Sequence, residues 1–163
     1  MTRPEIEQAI PHRAPFLFLD RIVEHGPPSA VGDVEDAERW ILAEWTVPST
    51  AGEAPWIAGH FPGQPVTPGV LLAEHAFQAA AVLISRALGG FDAEDGVPVL
   101  TRIQDARYRR RVDPGETLTT RVDVEDTVGP AWYLKAKITC DGAKVATLRF
   151  VLTSTGAIQR TGI

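Results

Sequence analysis

Residues 67–88 read TPGVLLAEHAFQAAAVLISRAL, and this stretch decides the fold because it is long, apolar and almost free of charge. Thr67 suits the N-cap of a helix, and Pro68 suits the first helical position, where a missing N–H costs nothing. The two glycines that follow the stretch suit a C-terminal stop. The stretch therefore predicts one long helix that begins at Pro68 and is apolar on nearly every side, so other elements must enclose it.

The same stretch is long enough to invite a membrane-spanning interpretation, but it carries Glu74 and Arg86. A charged side chain at bilayer depth costs about 2.5 to 3.5 kcal/mol on insertion scales. The first residues of the chain include acidic side chains and a proline where a signal peptide would have its apolar region. We therefore expect the helix to be the core of a soluble, cytoplasmic protein that does not associate with a membrane.

Strand-like sequence flanks the helix on both sides. Alternating or β-branched residues predict strands at residues 16–24, 29–34 and 40–47 before it, and at residues 97–103, 106–112, 117–124, 132–139 and 144–153 after it. The sharpest turn signal is Asp141-Gly142, since this pair tolerates the backbone angles of a two-residue hairpin turn. The pattern predicts an α+β fold in which a curled antiparallel sheet wraps around the helix as a single domain over residues 1–163.

Composition excludes several classes of function. The 163 residues hold 16 Lys and Arg against 21 Asp and Glu, so the net charge of -5 offers no field that would attract nucleic acid. Cys140 is the single cysteine and cannot form an internal disulfide. The chain has four histidines and no Cys/His cluster at zinc spacing, so we expect no metal site.

The segment GHFPGQPVTPG at residues 59–69 places one histidine in a stiff loop directly before the helix. His60 and Glu74 lie 14 positions apart in the sequence. An imidazole and a carboxyl group together can take a proton from carbon and give another to a leaving oxygen, and burial favours the neutral carboxyl form that can donate. A lone loop histidine is more often structural than catalytic, whereas a glutamate in an apolar helix needs a specific reason because burying a charge is costly.

Two neighbours of Glu74 on the helix call for an interpretation of their own. Gln78 lies one turn further along the same face, where it can hydrogen-bond the carboxyl group in a supporting role. His75 lies about 100° round the helix from Glu74, which predicts a packing or interface residue. Outside the helix, we expect His12 to be structural, tying the N-terminal segment to the sheet, and His25 to lie at the surface.

Three blocks of the sequence resemble the FabZ-type 3-hydroxyacyl-acyl-carrier-protein dehydratases. They are PHRAPFLFLDR at residues 11–21, GHFPGQPVTPGVL at residues 59–71 followed by Glu74 and Gln78, and RYRRRVDPGE at residues 107–116. The resemblance spans roughly residues 8–155, and the His-Phe-Pro-Gly block with the helix glutamate is its most specific part. The isomerising FabA-type dehydratases carry Asp in place of that glutamate, so the resemblance favours a plain dehydratase.

The resemblance implies a hot-dog fold and a homodimer whose sheets join edge to edge. It leaves open whether the dimers assemble further, as in relatives that form trimers of dimers. It implies the removal of water from a (3R)-3-hydroxyacyl thioester to leave a trans-2-enoyl thioester, in fatty-acid or polyketide-like biosynthesis. The substrate would be held by an acyl carrier protein, and no metal or organic cofactor would take part. Each active site would lie at the dimer interface, where His60 of one chain faces Glu74 of the partner subunit.

The same resemblance assigns roles to matching positions of this chain. His60 would take the proton from C2, and Glu74 would give a proton to the departing 3-hydroxyl group. The N–H of Gly69, at the opening turn of the helix, would meet the thioester oxygen, although a close approach of loop and helix also accounts for a glycine there. The supporting positions are Gln78, Phe61 and Pro68.

Arg107, Arg109 and Arg111 alternate along the predicted strand at residues 106–112 and would share one of its faces. Acyl carrier proteins are acidic, and a local positive patch can steer an acidic partner even when the net charge of a protein is negative. We therefore expect this face to be either a docking surface for the carrier protein or an ordinary solvated strand face.

Several positions depart from the usual FabZ pattern. His75 stands where alanine is common, and Gln64 and Thr67 stand where His and Met are frequent. Residues 49–54 lengthen the approach to the histidine loop. These departures bear on the substrate more than on the reaction, and they leave open the acyl chain length and the choice between a carrier protein and coenzyme A.

Two alternatives to a dehydratase remain within the same fold. One is a thioesterase, which the His-Phe-Pro-Gly block disfavours. The other is a non-catalytic partner subunit of a heteromeric dehydratase, which the presence of His60, Glu74 and Gly69 disfavours because a scaffold does not need them.

Overall fold

Helix α3, Gly69–Leu88, is surrounded by a six-stranded sheet in the computed structural model, which describes residues 1–26, 39–91 and 96–156. Two short helices precede it, α1 (Arg3–Ala9) and α2 (Trp56–Gly59). The strands are β1 (Arg21–His25), β2 (Trp40–Thr46), β3 (Pro98–Tyr108), β4 (Thr117–Val128), β5 (Ala131–Cys140) and β6 (Ala143–Ser154). The predicted strand at residues 29–34 lies outside the described residues.

The sheet is antiparallel, in the spatial order β1-β2-β4-β5-β6-β3. Strands β4, β5 and β6 follow one another as a meander, and the turn between β5 and β6 is the predicted Asp141-Gly142 hairpin. Both residues have positive φ, 49° at Asp141 and 77° at Gly142, as such a turn requires. Within the part of the chain that the structure describes, strands β1 and β3 pair on one side only and form the two edges of the sheet.

The core lies between α3 and the inner face of the sheet. Small side chains such as Ala79 and Ala80 are fully buried, so the sheet can approach the helix closely. Phe77 of α3 meets Phe150 of β6 edge to face, with the ring centroids 4.7 Å apart. By length and composition α3 could cross a membrane, but 72% of its apolar window is buried in this fold, as in the core helix of a soluble protein.

The start of α3 differs from the prediction by one residue. Pro68, with φ -56° and ψ 132°, occupies the N-cap, and Gly69 is the first helical residue. The N–H of Thr67 donates to the carbonyl oxygen of Val112 at 2.8 Å, which holds Thr67 in the incoming loop instead of at the helix cap. The end is as predicted, since Gly89 closes the helix in the left-handed conformation with φ 76°.

The predicted strand at residues 16–24 is wrong over its first half, because β1 begins at Arg21. The backbone of Phe18 bonds to helix α3 instead of a neighbouring strand. Its N–H donates to Oε1 of Gln78 at 2.8 Å, and its carbonyl oxygen accepts from Nδ1 of His75 at 2.7 Å. The apolar alternation of this segment therefore comes from packing on α3.

The predicted strands at residues 97–103 and 106–112 form one strand, β3, which ends at Tyr108. Its pairing with β6 shifts register twice, after Leu100 and after Ile103. Each shift interrupts the alternation on which strand prediction relies, and the sequence therefore suggests two short strands. The N–H of Arg109 still donates to the Val145 carbonyl oxygen of β6 at 2.8 Å, but Arg111 lies beyond the strand, so the prediction that three arginines share one strand face is also wrong.

Candidate active site

His60 lies at the C-terminal end of α2, where the loop folds back on itself. The N–H of Val66 donates to the carbonyl oxygen of His60 at 2.7 Å, and Nδ1 of His60 lies 2.8 Å from the carbonyl oxygen of Val66. A carbonyl oxygen only accepts, so Nδ1 carries the proton and Nε2 keeps a free lone pair. Phe61 stacks on the imidazole with the ring centroids 4.2 Å apart. The loop thus fixes Nδ1 as the donor and leaves Nε2 as the nitrogen that can act as a base.

A cavity of about 370 Å³ opens beside His60, and its lining includes Gly69 and Tyr108. A Cβ atom at Gly69 would lie 3.4 Å from the ring of Tyr108, tighter than most side-chain contacts. The first N–H groups of a helix have no partner inside it and favour negative charge. Both explanations that the sequence offers for Gly69 therefore fit its position, since the approach is close and the helix opens at this cavity.

Glu74 projects from α3 with 23% of its side chain exposed. Its Oε1 accepts a hydrogen bond from Nε2 of Gln78 at 2.9 Å, as the spacing of the two residues predicts. The same amide nitrogen also donates to the carbonyl oxygen of Phe16 at 3.1 Å. Gln78 is 1% exposed, so a buried amide holds the carboxyl group from one side.

One chain does not bring His60 and Glu74 together. Among the described residues, the polar contacts of His60 and Glu74 have no member in common, and Glu74 does not line the cavity beside His60. Each group is held by its own partners in a defined orientation. Within one chain, the described contacts therefore do not join the two groups into a single site.

His75 is a packing residue, one of the two roles that the sequence predicts for it. It is fully buried between the segment before β1 and strand β4, with Nδ1 2.7 Å from the Phe18 carbonyl oxygen and Nε2 2.8 Å from Oγ1 of Thr120. Burial lowers the pKa of His75 to about 4, so its imidazole is neutral at physiological pH.

His12 and His25 do not lie where the sequence suggests. Nε2 of His12 lies 3.6 Å from Oε1 of Glu74, so His12 faces the candidate acid. His25 is half-buried at the end of β1, with Nδ1 3.3 Å from a guanidinium nitrogen of Arg86. The only sequence signal for the first contact is that His12 belongs to the PHR block of the resemblance, because no spacing rule relates residues 12 and 74.

The basic surface is placed differently from the prediction. Arg111 pairs with Asp113, away from the face of β3. Arg107 and Arg109 instead line a groove of about 240 Å³ on the outer side of the sheet. The other basic side chains of this groove are Lys135, Lys144 and Arg149. Arg109 also lines the cavity beside His60, so the basic groove begins at that cavity.

A larger cavity, of about 710 Å³, lies between the segment before β1 and the segment that follows β2. Its apolar lining includes Phe16, Trp45, Trp56 and Leu71. Ser49, Glu53 and Ala54 of the lengthened segment at residues 49–54 form part of its wall. The segment that departs from the FabZ pattern therefore shapes the larger cavity.

Comparison with known proteins gives consistent matches. The FabA-like domain family matches residues 10–149. The 3-hydroxyacyl-acyl-carrier-protein dehydratase FabZ of Anaeromyxobacter dehalogenans strain 2CP-C is 36% identical over 146 residues, covering 90% of this chain and 85% of that protein. FabZ of Acidiphilium cryptum strain JF-5 is 39% identical over 142 residues, covering 86% of this chain and 77% of that protein. Among solved structures, the dehydratase heterocomplex ApeI:P from Xenorhabdus doucetiae superposes with a TM-score of 0.70 at 16% identity, covering 97% of both chains.

Proposed function

The chain belongs to the FabA-like domain family, and we propose that it is a 3-hydroxyacyl-acyl-carrier-protein dehydratase of fatty-acid biosynthesis. The reaction removes water from a (3R)-3-hydroxyacyl thioester and leaves a trans-2-enoyl thioester. The observation that carries the proposal is the hydrogen bond between Nδ1 of His60 and the Val66 carbonyl oxygen, because it leaves Nε2 as a base. The two FabZ relatives are dehydratases by name, and we propose a cytoplasmic location for this protein.

In the proposed mechanism, Nε2 of His60 takes a proton from C2 of the substrate. The protonated carboxyl group of Glu74 gives its proton to the 3-hydroxyl oxygen as the C3–O bond breaks, and water leaves. The N–H of Gly69 stabilises the negative charge that develops on the thioester oxygen. The imidazolium and the carboxylate then return to their starting states by proton exchange with solvent, so the cycle balances.

The proposed active unit is a homodimer that completes each site with His60 of one chain and Glu74 of the partner subunit. Strand β3 supports this arrangement, because among the described residues it is an edge strand whose outer backbone groups pair with no other strand. Leu100 and Ile103 on that strand are 41% and 49% exposed, and Val70 at the start of α3 is 74% exposed. Pairing β3 of two chains would cover both the open edge and these apolar side chains.

We further propose that the basic groove docks the acyl carrier protein. The groove carries five cationic side chains, of which Arg107 pairs with Asp105 and Arg149 with Glu125. An acidic partner would complement the other three, Arg109, Lys135 and Lys144. Because Arg109 borders both the groove and the cavity beside His60, a carrier bound there would hold its thioester arm next to the base. Arg111, which pairs with Asp113, has no part in this proposal.

One assay tests the function. The purified protein is incubated with a 3-hydroxyacyl carrier protein while enoyl-thioester absorbance and free thiol are followed together. The expected result is enoyl product without thiol, lost in His60→Ala and in Glu74→Gln while both variants stay folded and dimeric. Thiol release alone would support a thioesterase, no product would support a non-catalytic subunit, and wild-type rates in the variants would refute the assigned roles.

A further inference from the structure

His12 lies next to the candidate acid but has no part in the mechanism above. It belongs to the segment between α1 and β1, and its side chain is 28% exposed. Nε2 of His12 lies 3.6 Å from Oε1 of Glu74, which is too long for a hydrogen bond but close enough for the dipole of an N–H group to act on the oxygen. Nδ1 of His12 is buried and has no hydrogen-bond partner among the described residues.

This environment favours the neutral imidazole with its proton on Nε2. A charged imidazole would place an N–H at the buried Nδ1, where nothing accepts it, and such a group is costly to leave unpaired. Burial lowers the pKa of His12, and the charge of Arg13 acts in the same direction, while Glu74 of α3 opposes both. A neutral ring with an unprotonated Nδ1 points its remaining N–H at the carboxyl group.

Two N–H groups then face the same oxygen of Glu74. Gln78 donates to Oε1 from within α3, and His12 approaches Oε1 from the N-terminal segment. An oxygen whose lone pairs face two donors is a poor site for the acid proton. The proton of a neutral Glu74 is therefore directed to Oε2, which is free of these two donors.

We propose that His12 is a positioning residue that fixes the orientation of the Glu74 carboxyl group, so that Oε2 is the oxygen that donates to the leaving hydroxyl group. The inference rests on the proposed dehydratase function. A proton relay through His12 does not fit, because a relay would have to receive a proton at Nδ1, which is buried without a partner.

Two substitutions separate positioning from packing. His12→Leu removes the N–H and is expected to lower kcat about tenfold with KM nearly unchanged, because the lost contact orients the acid in the reacting state. His12→Gln keeps an amide N–H near the place of Nε2 and is expected to retain most of the wild-type kcat. His25→Leu is the matched control at a half-buried histidine near Arg86, and it is expected to leave kcat unchanged.

The outcomes are distinguishable. Wild-type kcat in His12→Leu, or an equal loss in His12→Gln and His12→Leu when both are folded, would overturn the positioning role. A protein that does not dehydrate at all would refute the proposed function instead. In that case ¹⁵N NMR of histidine-labelled protein, with His12→Leu used to assign the signal, still tests the inference. The inference predicts a neutral His12 ring that is protonated on Nε2 at pH 7. A ring that is charged, or protonated on Nδ1, would contradict the inference.

Discussion

The side-chain amide of Gln78 joins Glu74 to the segment before β1. Its nitrogen donates to Oε1 of Glu74 at 2.9 Å, and its oxygen accepts the N–H of Phe18 at 2.8 Å. One buried side chain therefore connects the candidate acid on α3 to the aromatic segment that covers the helix. Activity and stability should depend on the same residue.

We expect Gln78→Leu to destabilise the protein by about 1 to 3 kcal/mol, because the buried N–H of Phe18 loses its acceptor. The same change should lower kcat, since Glu74 loses its hydrogen bond. Urea unfolding and steady-state kinetics measure the two effects. Leu88→Ala, at an exposed position of the same helix, is the control and should change stability little. Wild-type stability of Gln78→Leu would show that the amide does not support the segment.

A site shared by two chains makes inactive variants complement each other. In a dimer of one His60→Ala chain and one Glu74→Gln chain, one site has both groups intact and the other has neither. We expect dimers purified through a different tag on each chain to show about half of the wild-type activity, whereas each variant alone is inactive. Mixed dimers as inactive as their parents would place the site within a single chain.

The buried His75 predicts a pH-dependent stability. Its pKa is about 4 in the folded chain and near 6.5 when unfolded, so below pH 6.5 the unfolded chain binds a proton that the folded chain does not. The stability from neutral His75 is thus present above pH 6.5 and lost as pH falls towards 4. Between pH 7.5 and 5 we expect a loss of about 2 kcal/mol from this residue.

The prediction is tested by measuring the free energy of unfolding at a fixed protein concentration between pH 7.5 and 5. His75→Gln should show a shallower loss of stability than the wild type, because glutamine does not titrate. Leu88→Ala changes no titratable group and should keep the wild-type pH dependence. If the free energy of unfolding falls equally with pH in His75→Gln and in the wild type, the prediction is wrong.

If the carrier protein docks in the basic groove, substitutions in the groove should weaken its binding, whereas a substitution of Arg111 should not act selectively on it. The double variant Lys135→Glu/Lys144→Glu should raise KM for a carrier-bound substrate about tenfold at low salt, because it repels an acidic partner. The KM of the double variant for a small thioester mimic should equal that of the wild type. Added salt should reduce the difference in KM between the variant and the wild type for the carrier-bound substrate, because salt screens the charges. Arg111→Glu reverses a charge beside the His60 cavity but outside the groove, so it should affect the carrier-bound substrate and the mimic alike. A rise in KM that is selective for the carrier-bound substrate and larger in Arg111→Glu than in the double variant would refute the groove.

The sequence predicts α3 to within one residue because proline and glycine mark its ends, and these marks act locally. The hairpin at Asp141-Gly142 is predictable for the same reason. The single strand β3 is not, since its register shifts are set by its pairing with β6. The bounds of an element that begins or ends at a proline or glycine can thus be predicted from the local sequence. The bounds of the other elements depend on how the strands pair.

The contacts of the candidate site also divide into those that local spacing predicts and those that tertiary structure determines. Glu74 and Gln78 are one helical turn apart, and the spacing alone predicts their hydrogen bond. The contact between His12 and Glu74 joins residues far apart in the sequence, and it depends on how the N-terminal segment crosses α3. The end of β3 before Arg109 depends in turn on the pairing of the sheet, which no pattern of arginines encodes.

The cavity lined by Phe16, Trp45 and Trp56 has a wall that belongs to no helix or strand over residues 48–55. That wall can gain or lose residues without shifting a single β-pairing, and it carries neither His60 nor Glu74. A change in the length of this wall would therefore reshape the cavity without moving either of the two proposed proton-transfer groups.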